Sequence, residues 1–192
     1  MAGTLTGAGV ASASTSTAKT LTVTYKVTGK TYIKSVNSTV ALGPGKLVTK
    51  VNLTTAALTA NLSLPAATAS FNEFGIIPIS ATVKFIQDGL TKGQLNINTG
   101  AVKTTSKITL QLTTLSLAGI TITLPKTCES ATPAVIKLAS QKGFNVVKGG
   151  NLAGTYTIPP VAGCSLLTPI INLIFPGPGN SITLKLGAAK TG

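Results

Sequence analysis

The sequence predicts an all-β fold, a single-domain antiparallel β-sandwich, and three observations predict it. Apolar and polar residues alternate along many short segments, and in the first of these Leu21, Val23, Tyr25 and Val27 share one face. Glycine and proline separate the segments, and we find no apolar pattern with the period of an amphipathic helix. Hydrophobic residues make up 43% of the chain but aromatic residues only 4%, so Val, Leu, Ile and Ala have to build the core. We expect an immunoglobulin-like or jelly-roll-like sandwich, with a β-barrel around an apolar cavity as the alternative.

The length and the first residues suggest how the chain is divided. At 192 residues it is long enough for one well-buried core and too short for two. Residues 11–13, Ala-Ser-Ala, have the small-x-small form of a signal-peptidase site. We therefore expect residues 1–20 to be a signal-peptide remnant and linker, residues 21–187 to form the sandwich, and residues 188–192 to be a tail.

The strands are expected in sequence order from Leu21, about nine to eleven of them. The first is expected to turn at Gly29-Lys30, and a further turn is expected at Gly43-Pro44-Gly45. Two similar segments, 51–59 and 95–103, each predict a hairpin with a polar tight turn. The alternation predicts later strands at residues 58–64, 79–85, 103–113, 120–124 and 182–186.

The segment from Gly149 to Cys164, GGNLAGTYTIPPVAGC, organises the second half of the chain. It predicts a glycine turn, a strand over 154–158, a stop at Pro159-Pro160 and a half-cystine. Cys128 is the other of the two cysteines, so we expect the segment to return to that point and to be fastened there by a disulfide. One disulfide in a chain otherwise free of cysteine fits an exported protein, secreted or at the cell surface.

The charge comes almost entirely from lysine. The chain has 16 lysines, no arginine and no histidine, against three acidic residues (Glu73, Asp88 and Glu129), which gives a formal charge of +13. Lysine lacks the planar fork with which arginine reads guanine or holds phosphate, so we expect no sequence-specific nucleic-acid binding. Anionic cell-envelope polymers are the expected partners. No apolar run is long enough to cross a membrane as a helix.

The residues exclude most catalytic chemistry. Without histidine there is no Ser-His-Asp triad, no Cys-His pair and no imidazole metal ligand. The three acidic residues are scattered, which disfavours a carboxylate pair for glycoside hydrolysis. We therefore expect a protein that is not an enzyme, with no metal and no cofactor.

Two apolar segments are candidates for a ligand or partner site. Residues 71–78 form the most aromatic segment of the chain, and residues 166–175 form a long apolar one. The favoured interpretation of the second is a buried strand and cap under the disulfide, and the alternative is an exposed lip for lipid or a protein partner. The candidate site residues are Phe71, Phe74, Phe85, Ile171 and Phe175.

Three motifs carry a resemblance to a known group of proteins. They are GTYTIPP followed by Gly163-Cys164, the FGIIP of residues 74–78, and the late PGPGN of residues 176–180. Together they resemble small exported all-β proteins of actinobacteria, over roughly residues 21–186. The resemblance implies export and a disulfide between the two cysteines, and it implies no catalytic residues because the group has no assigned activity.

These observations lead to two functional expectations. The first is an exported, non-catalytic binding or structural protein of the cell envelope or the extracellular space, with its lysines facing anionic polymers. The alternative is a carrier of a hydrophobic small molecule or lipid, held in an apolar cavity lined by the phenylalanines named above.

Overall fold

The structure, a computed structural model, describes residues 19–73 and 76–191 and confirms the all-β prediction. The described part of the chain contains fourteen strands, a short 3-10 turn over Ser165–Leu167 and one helix, α1, over Thr168–Ile174. The strands, numbered in chain order, are β1 (Thr20–Ile33), β2 (Ser38–Asn52), β3 (Ala57–Ser63), β4 (Ala67–Glu73), β5 (Ile77–Gln87), β6 (Thr91–Leu95), β7 (Val102–Leu117), β8 (Ile120–Thr123), β9 (Glu129–Ser130), β10 (Ala134–Ser140), β11 (Gly150–Ile158), β12 (Val161–Ala162), β13 (Gly177–Leu186) and β14 (Lys190–Thr191).

Eight of these strands close into an antiparallel barrel. Their hydrogen-bonded order is β10-β11-β13-β1-β2-β3-β6-β7, and β7 pairs back with β10. The fold is thus the barrel alternative, and the expected two-sheet sandwich is not what the strands form, because they belong to one hydrogen-bonded sheet. Alternating burial has the same period in a sandwich and in a barrel, so the pattern alone could not separate them.

The two ends of the barrel are built differently. The connections β2–β3, β6–β7 and β10–β11 meet at one end, which we call the open end. At the opposite, closed end, β5 and β8 pair with the second part of β7, and β4 extends the sheet beside β5. Ser38 Oγ of β2 donates a hydrogen bond to the Ser70 carbonyl of β4 at 3.0 Å, which joins this extension to the barrel wall.

A side chain completes the wall where β6 is too short to do so. β6 pairs with β3 only as far as Ala60, and Gln87, the last residue of β5, lies beside the next part of β3. Its amide donates to the Ala60 carbonyl at 2.9 Å and its carbonyl accepts from the Leu62 N–H at 2.6 Å. The Gln87 amide therefore occupies the hydrogen-bonding positions of a missing strand.

The expected turns at Gly29 and Gly43 are wrong, because both residues lie inside strands. The pairing of β1 with β2 shifts register between Val27 and Gly29, where the strands form a bulge. A Cβ at Gly29 would overlap the Thr183 carbonyl of β13, and Gly43 has a φ of +83°. Glycine is required at these positions by close approach and backbone conformation, and the strands continue through them.

The segment after Cys164 also differs from its expected form. Residues 166–175 were expected to be a buried strand and cap, but they form the 3-10 turn and α1. Pro169 lies in the first turn of α1, where a missing N–H costs nothing, so it starts the helix and does not interrupt a strand. The Asn172 side chain pairs with both backbone groups of Val161, at 2.7 and 2.9 Å, and so fixes the helix to β12.

The disulfide prediction is confirmed. β11 ends before Pro159, and β12 pairs with β9, which places Cys164 beside Cys128. The two sulfur atoms are bonded at 1.96 Å, and both residues are buried. The bond ties the helix and its 3-10 turn to the closed end of the barrel.

Candidate functional site

The barrel encloses an apolar cavity of about 380 Å³ in the half nearest the open end, which we call the open half. All eight barrel strands contribute inward side chains to its wall. The central lining residues are Val23, Tyr25, Leu47, Thr49, Leu58, Ala60, Leu62, Thr91, Val102, Thr104, Ser106, Leu138, Leu152, Leu184 and Leu186. None of these side chains carries a charge.

The cavity exists because many inward positions of the open half hold small or branched side chains. Ala60 on β3, Thr49 on β2 and the Thr91–Ser106 pair between β6 and β7 all lie on the wall. An eight-stranded barrel is just wide enough for its side chains to fill, or for one small ligand when they do not fill it. Tyr25 and Phe144 are the aromatic residues of this wall, and they leave the centre empty.

Three hydroxyls of the central wall are already paired, whereas those of Thr49 and Thr104 make no hydrogen bond to any described residue. The Thr91 and Ser106 hydroxyls lie 2.7 Å apart and are buried, and the Tyr25 hydroxyl donates to the Val146 carbonyl at 2.7 Å. Burial raises the pKa of Tyr25, so its ring stays protonated and neutral at ordinary pH. Throughout residues 19–73 and 76–191, no fully buried side-chain nitrogen or oxygen atom lacks a hydrogen-bond partner. The wall is therefore mainly apolar, with the Thr49 and Thr104 hydroxyls as the central groups that a polar atom of a ligand could meet.

The apolar interior continues toward the closed end as two smaller cavities. One of about 40 Å³ shares Leu62, Leu138 and Leu184 with the large cavity, and one of about 60 Å³ lies beyond it. The two small cavities share Phe85 and Tyr156. The Tyr156 hydroxyl is 2.8 Å from that of Thr31, and burial raises its pKa while this hydrogen bond lowers it.

The structure places four of the five predicted site residues at the closed end. Phe85 and Phe175 share the wall of the 60 Å³ cavity, and the Phe71 and Phe175 rings meet edge to face with centroids 5.5 Å apart. Ile171 is the fully buried residue of α1, and Phe74 lies outside the described residues. These phenylalanines surround the narrow part of the interior, and the wide part is lined by residues that the sequence did not single out as a site.

The large cavity reaches solvent at the open end. Leu53 and Val147 both line it, and they are 50% and 66% exposed. Leu53 follows β2 and Val147 lies between β10 and β11, on opposite sides of the mouth defined by the strand order. A ligand can therefore enter between these two turns without any strand of the barrel separating.

Comparisons with known proteins identify no relative. No protein-family model, no curated protein and no solved structure matches the chain. In the described ranges, no helix is long and apolar enough to cross a membrane. The same ranges contain no cluster of three or more side chains of the kinds that hold a metal ion.

Proposed function

We propose that the protein is an exported, non-catalytic carrier of a hydrophobic small molecule or lipid, which binds in the cavity of the open half. The observation that carries this proposal is an apolar cavity of about 380 Å³ that opens to solvent at one end. Protein interiors are close-packed, so an empty apolar volume of this size needs an explanation. Binding sites for small molecules begin at roughly 300 Å³ and are lined mainly by apolar side chains.

The wall indicates the chemical class of the ligand. Its central side chains are uncharged, and among its central hydroxyls only those of Thr49 and Thr104 make no hydrogen bond to a described residue. A charged or strongly hydrated group would therefore lose its water with little compensation inside the cavity. An alkyl chain or a compact apolar ring system meets no such cost. A polar head group, where the ligand has one, would remain at the mouth beside Leu53 and Val147.

The disulfide supports export, because such bonds persist in oxidising compartments. Binding of anionic envelope polymers by the lysines remains the weaker proposal, since it gives no role to the cavity. The expected site around Phe71, Phe85 and Phe175 is retained only as the inner end of the apolar interior.

Titration with N-phenyl-1-naphthylamine, a neutral apolar fluorophore, tests the proposal. We expect saturable binding of about one dye per chain, with displacement by long-chain alcohols. Ala60→Phe places a ring in the cavity from the middle of β3 and should weaken dye binding at least about tenfold. Thr59→Phe puts the same ring on the preceding residue of the strand, which does not line the cavity, and this variant should bind the dye as the wild type does.

The thermal unfolding of both variants separates lost binding from lost folding. Weak, non-saturable dye binding by the wild type would contradict the proposal. Equal dye affinity in the Ala60→Phe and Thr59→Phe proteins would also contradict it, because the dye would then be bound elsewhere.

A further inference from the structure

Three turns at the open end are built in the same way and expose an apolar side chain. Asn52, Asn96 and Asn145 each accept hydrogen bonds through Oδ1 from the backbone N–H groups two and three residues later, at 2.8 to 3.1 Å. The exposed apolar residues of these turns, which we call the rim tips, are Leu53 and Ile97, one residue after the asparagine, and Val147, two residues after it, with exposures of 50%, 76% and 66%.

The strand order and the backbone contacts place the rim tips around one opening. Each lies in a connection between two strands at the open end: Leu53 between β2 and β3, Ile97 between β6 and β7, and Val147 between β10 and β11. The Leu53 N–H donates to the Lys19 carbonyl at 2.9 Å, and the Val147 carbonyl accepts from the Ala189 N–H at 2.8 Å. The residue before β1 (Lys19) and the segment after β13 (Ala189) are thereby held at the same end of the barrel as the rim tips.

Lysines surround the rim tips, and the acidic residues lie elsewhere. Six exposed lysines lie at or near this end of the strands: Lys19, Lys50, Lys103, Lys142, Lys148 and Lys190. Asp88 follows β5 and donates its N–H to the Lys107 carbonyl in the middle of β7, and Glu129 pairs with Gln111 toward the closed end. Glu73 is the last residue of β4, also in the closed-end extension. The open end is therefore apolar at its tips and positive around them.

We propose that the open end docks on the surface of an anionic lipid bilayer, with the rim tips in the apolar layer and the lysines at the lipid head groups. Apolar side chains flanked by lysines are the two features that hold peripheral proteins on anionic membranes. A soluble anionic polymer would use the lysines and leave Leu53, Ile97 and Val147 without a role. A second copy of the chain docked through its own open end would bring the lysines of both open ends together, and repulsion between these like charges disfavours that arrangement.

The exposed apolar residues of the closed end provide the contrast. Leu166, Leu173 and Ile120 are 93%, 88% and 70% exposed, so that end is at least as apolar as the open one. Lys34, Lys84 and Lys126 lie in the closed half together with Glu73 and Glu129, whereas none of the chain's three acidic residues lies beside the six lysines of the open end. Exposure alone would favour the closed end, whereas exposure together with charge favours the open end.

This proposal stands independently of the carrier function, because docking needs the rim and not the cavity. The two are compatible in geometry, since the cavity opens between Leu53 and Val147. A bound lipid chain would then pass between membrane and cavity with little exposure to water.

Sedimentation with vesicles tests the docking. We expect the wild type to bind vesicles of phosphatidylcholine with 30% phosphatidylglycerol at least about tenfold more tightly than pure phosphatidylcholine, and to release as salt rises. The triple variant Leu53→Ser, Ile97→Ser, Val147→Ser should lose at least about tenfold in affinity for the anionic vesicles. The matched triple Ile120→Ser, Leu166→Ser, Leu173→Ser removes three exposed apolar residues from the closed end and should bind as the wild type does.

Ala60→Phe separates this test from that of the carrier function. It should lose dye binding and keep vesicle binding, so failure of one proposal does not imply failure of the other. The substituted tips are exposed, and circular dichroism with thermal unfolding checks that both triples are folded.

Four results would overturn the docking proposal. The first is failure of the wild type to bind anionic vesicles. The second and third are binding by the open-end triple variant as tight as that of the wild type, and loss of binding in the closed-end triple variant. The fourth is a dimer of the wild type in lipid-free sedimentation velocity that the open-end triple variant does not form. Equal binding by the open-end triple would indicate that the lysines act on any anionic surface. The dimer would assign the rim to a second copy of the chain.

Discussion

The two halves of the barrel share most of their strands but differ in how their interior is filled. In the open half, β3 and β7 contribute Ala60 and Ser106 to a cavity of about 380 Å³. In the closed half, Phe85, Phe175 and fully buried Ile171 leave cavities of only about 40 and 60 Å³. The volume inside this eight-stranded barrel is therefore set by the size of the inward side chains and by the elements that pack over one end, and strand number only sets its limit.

We expect the closed half to determine mainly the stability of the fold and the open half to determine mainly ligand binding. The closed half holds the disulfide, α1 and the edge-to-face ring pair, so substitutions there should act on the free energy of unfolding. The open half has vacant volume, and substitutions there should act mainly on binding. Three predictions test this division, in addition to the binding experiments above.

The largest effect is expected from Ile171→Asp. Ile171 is fully buried in α1, so the substitution places an unpaired carboxylate in the closed half and should lower the free energy of unfolding by about 5 kcal/mol. Leu173→Asp is the matched control on the same helix, because Leu173 is 88% exposed and should tolerate the charge within about 0.5 kcal/mol. Urea denaturation measures both. A stable Ile171→Asp protein would show that the closed half is not the core of the domain.

An intermediate effect is expected from a pair of substitutions on β1. Val27 is fully buried, so Val27→Phe should overpack the core and lower stability by roughly 1–3 kcal/mol. Val23, four residues earlier on the same strand, lines the large cavity, so Val23→Phe fills vacant volume and should change stability by less than about 1 kcal/mol. Thermal unfolding compares the two variants. Equal destabilisation would mean that the open half is as tightly packed as the rest.

The smallest effect concerns alkaline pH and Tyr25. Burial raises the pKa of Tyr25 in the folded protein, so its contribution to stability is fully present below about pH 10, the ordinary value, and is lost as pH rises through the raised pKa. Tyr25→Phe also removes the hydrogen bond to the Val146 carbonyl and should cost about 1 kcal/mol at pH 8. The difference between wild type and variant should shrink between pH 8 and pH 11.

Urea unfolding at several pH values measures this difference. Tyr156→Phe in the closed half should show the same direction, since burial is the larger influence on the pKa of Tyr156 as well. A difference between wild type and Tyr25→Phe that widens with pH would contradict the assignment.

The sequence predicted the strands well because their burial alternates. In β7, Val102, Ser106, Ile108 and Leu112 are buried while Lys103 and Lys107 are exposed, as the period of two requires. The same period describes a strand in a sandwich and in a barrel, so closure through the pairing of β7 with β10 was not visible in it. Gly29 and Gly43 were interpreted as turns because glycine serves turns and bulges alike.

The helix and the position of the large cavity were missed for different reasons. Residues 166–175 contain only two polar residues, Thr168 and Asn172, and a helix of seven residues is too short to establish a period, so the segment was expected to be a buried strand and cap. The cavity depends on the side chains of opposite strands together. Small residues such as Ala60 and Ser106 leave a cavity only where no large side chain reaches across from the facing strands, and the sequence does not show which residues face each other. The signal for it was the composition: a barrel of this size with 4% aromatic residues and no tryptophan has few side chains large enough to fill it.

The three asparagine turns make the open end suitable as a scaffold for presenting varied residues. Asn52, Asn96 and Asn145 fix the backbone from the first position of each turn, and the residue that accepts the left-handed conformation closes it, as Gly100 does with a φ of +71°. The tip residues between them take no part in these bonds through their side chains, so their identity is not needed for folding. Randomising the tips would therefore yield a library of barrels that differ in what they recognise while sharing nearly the same stability.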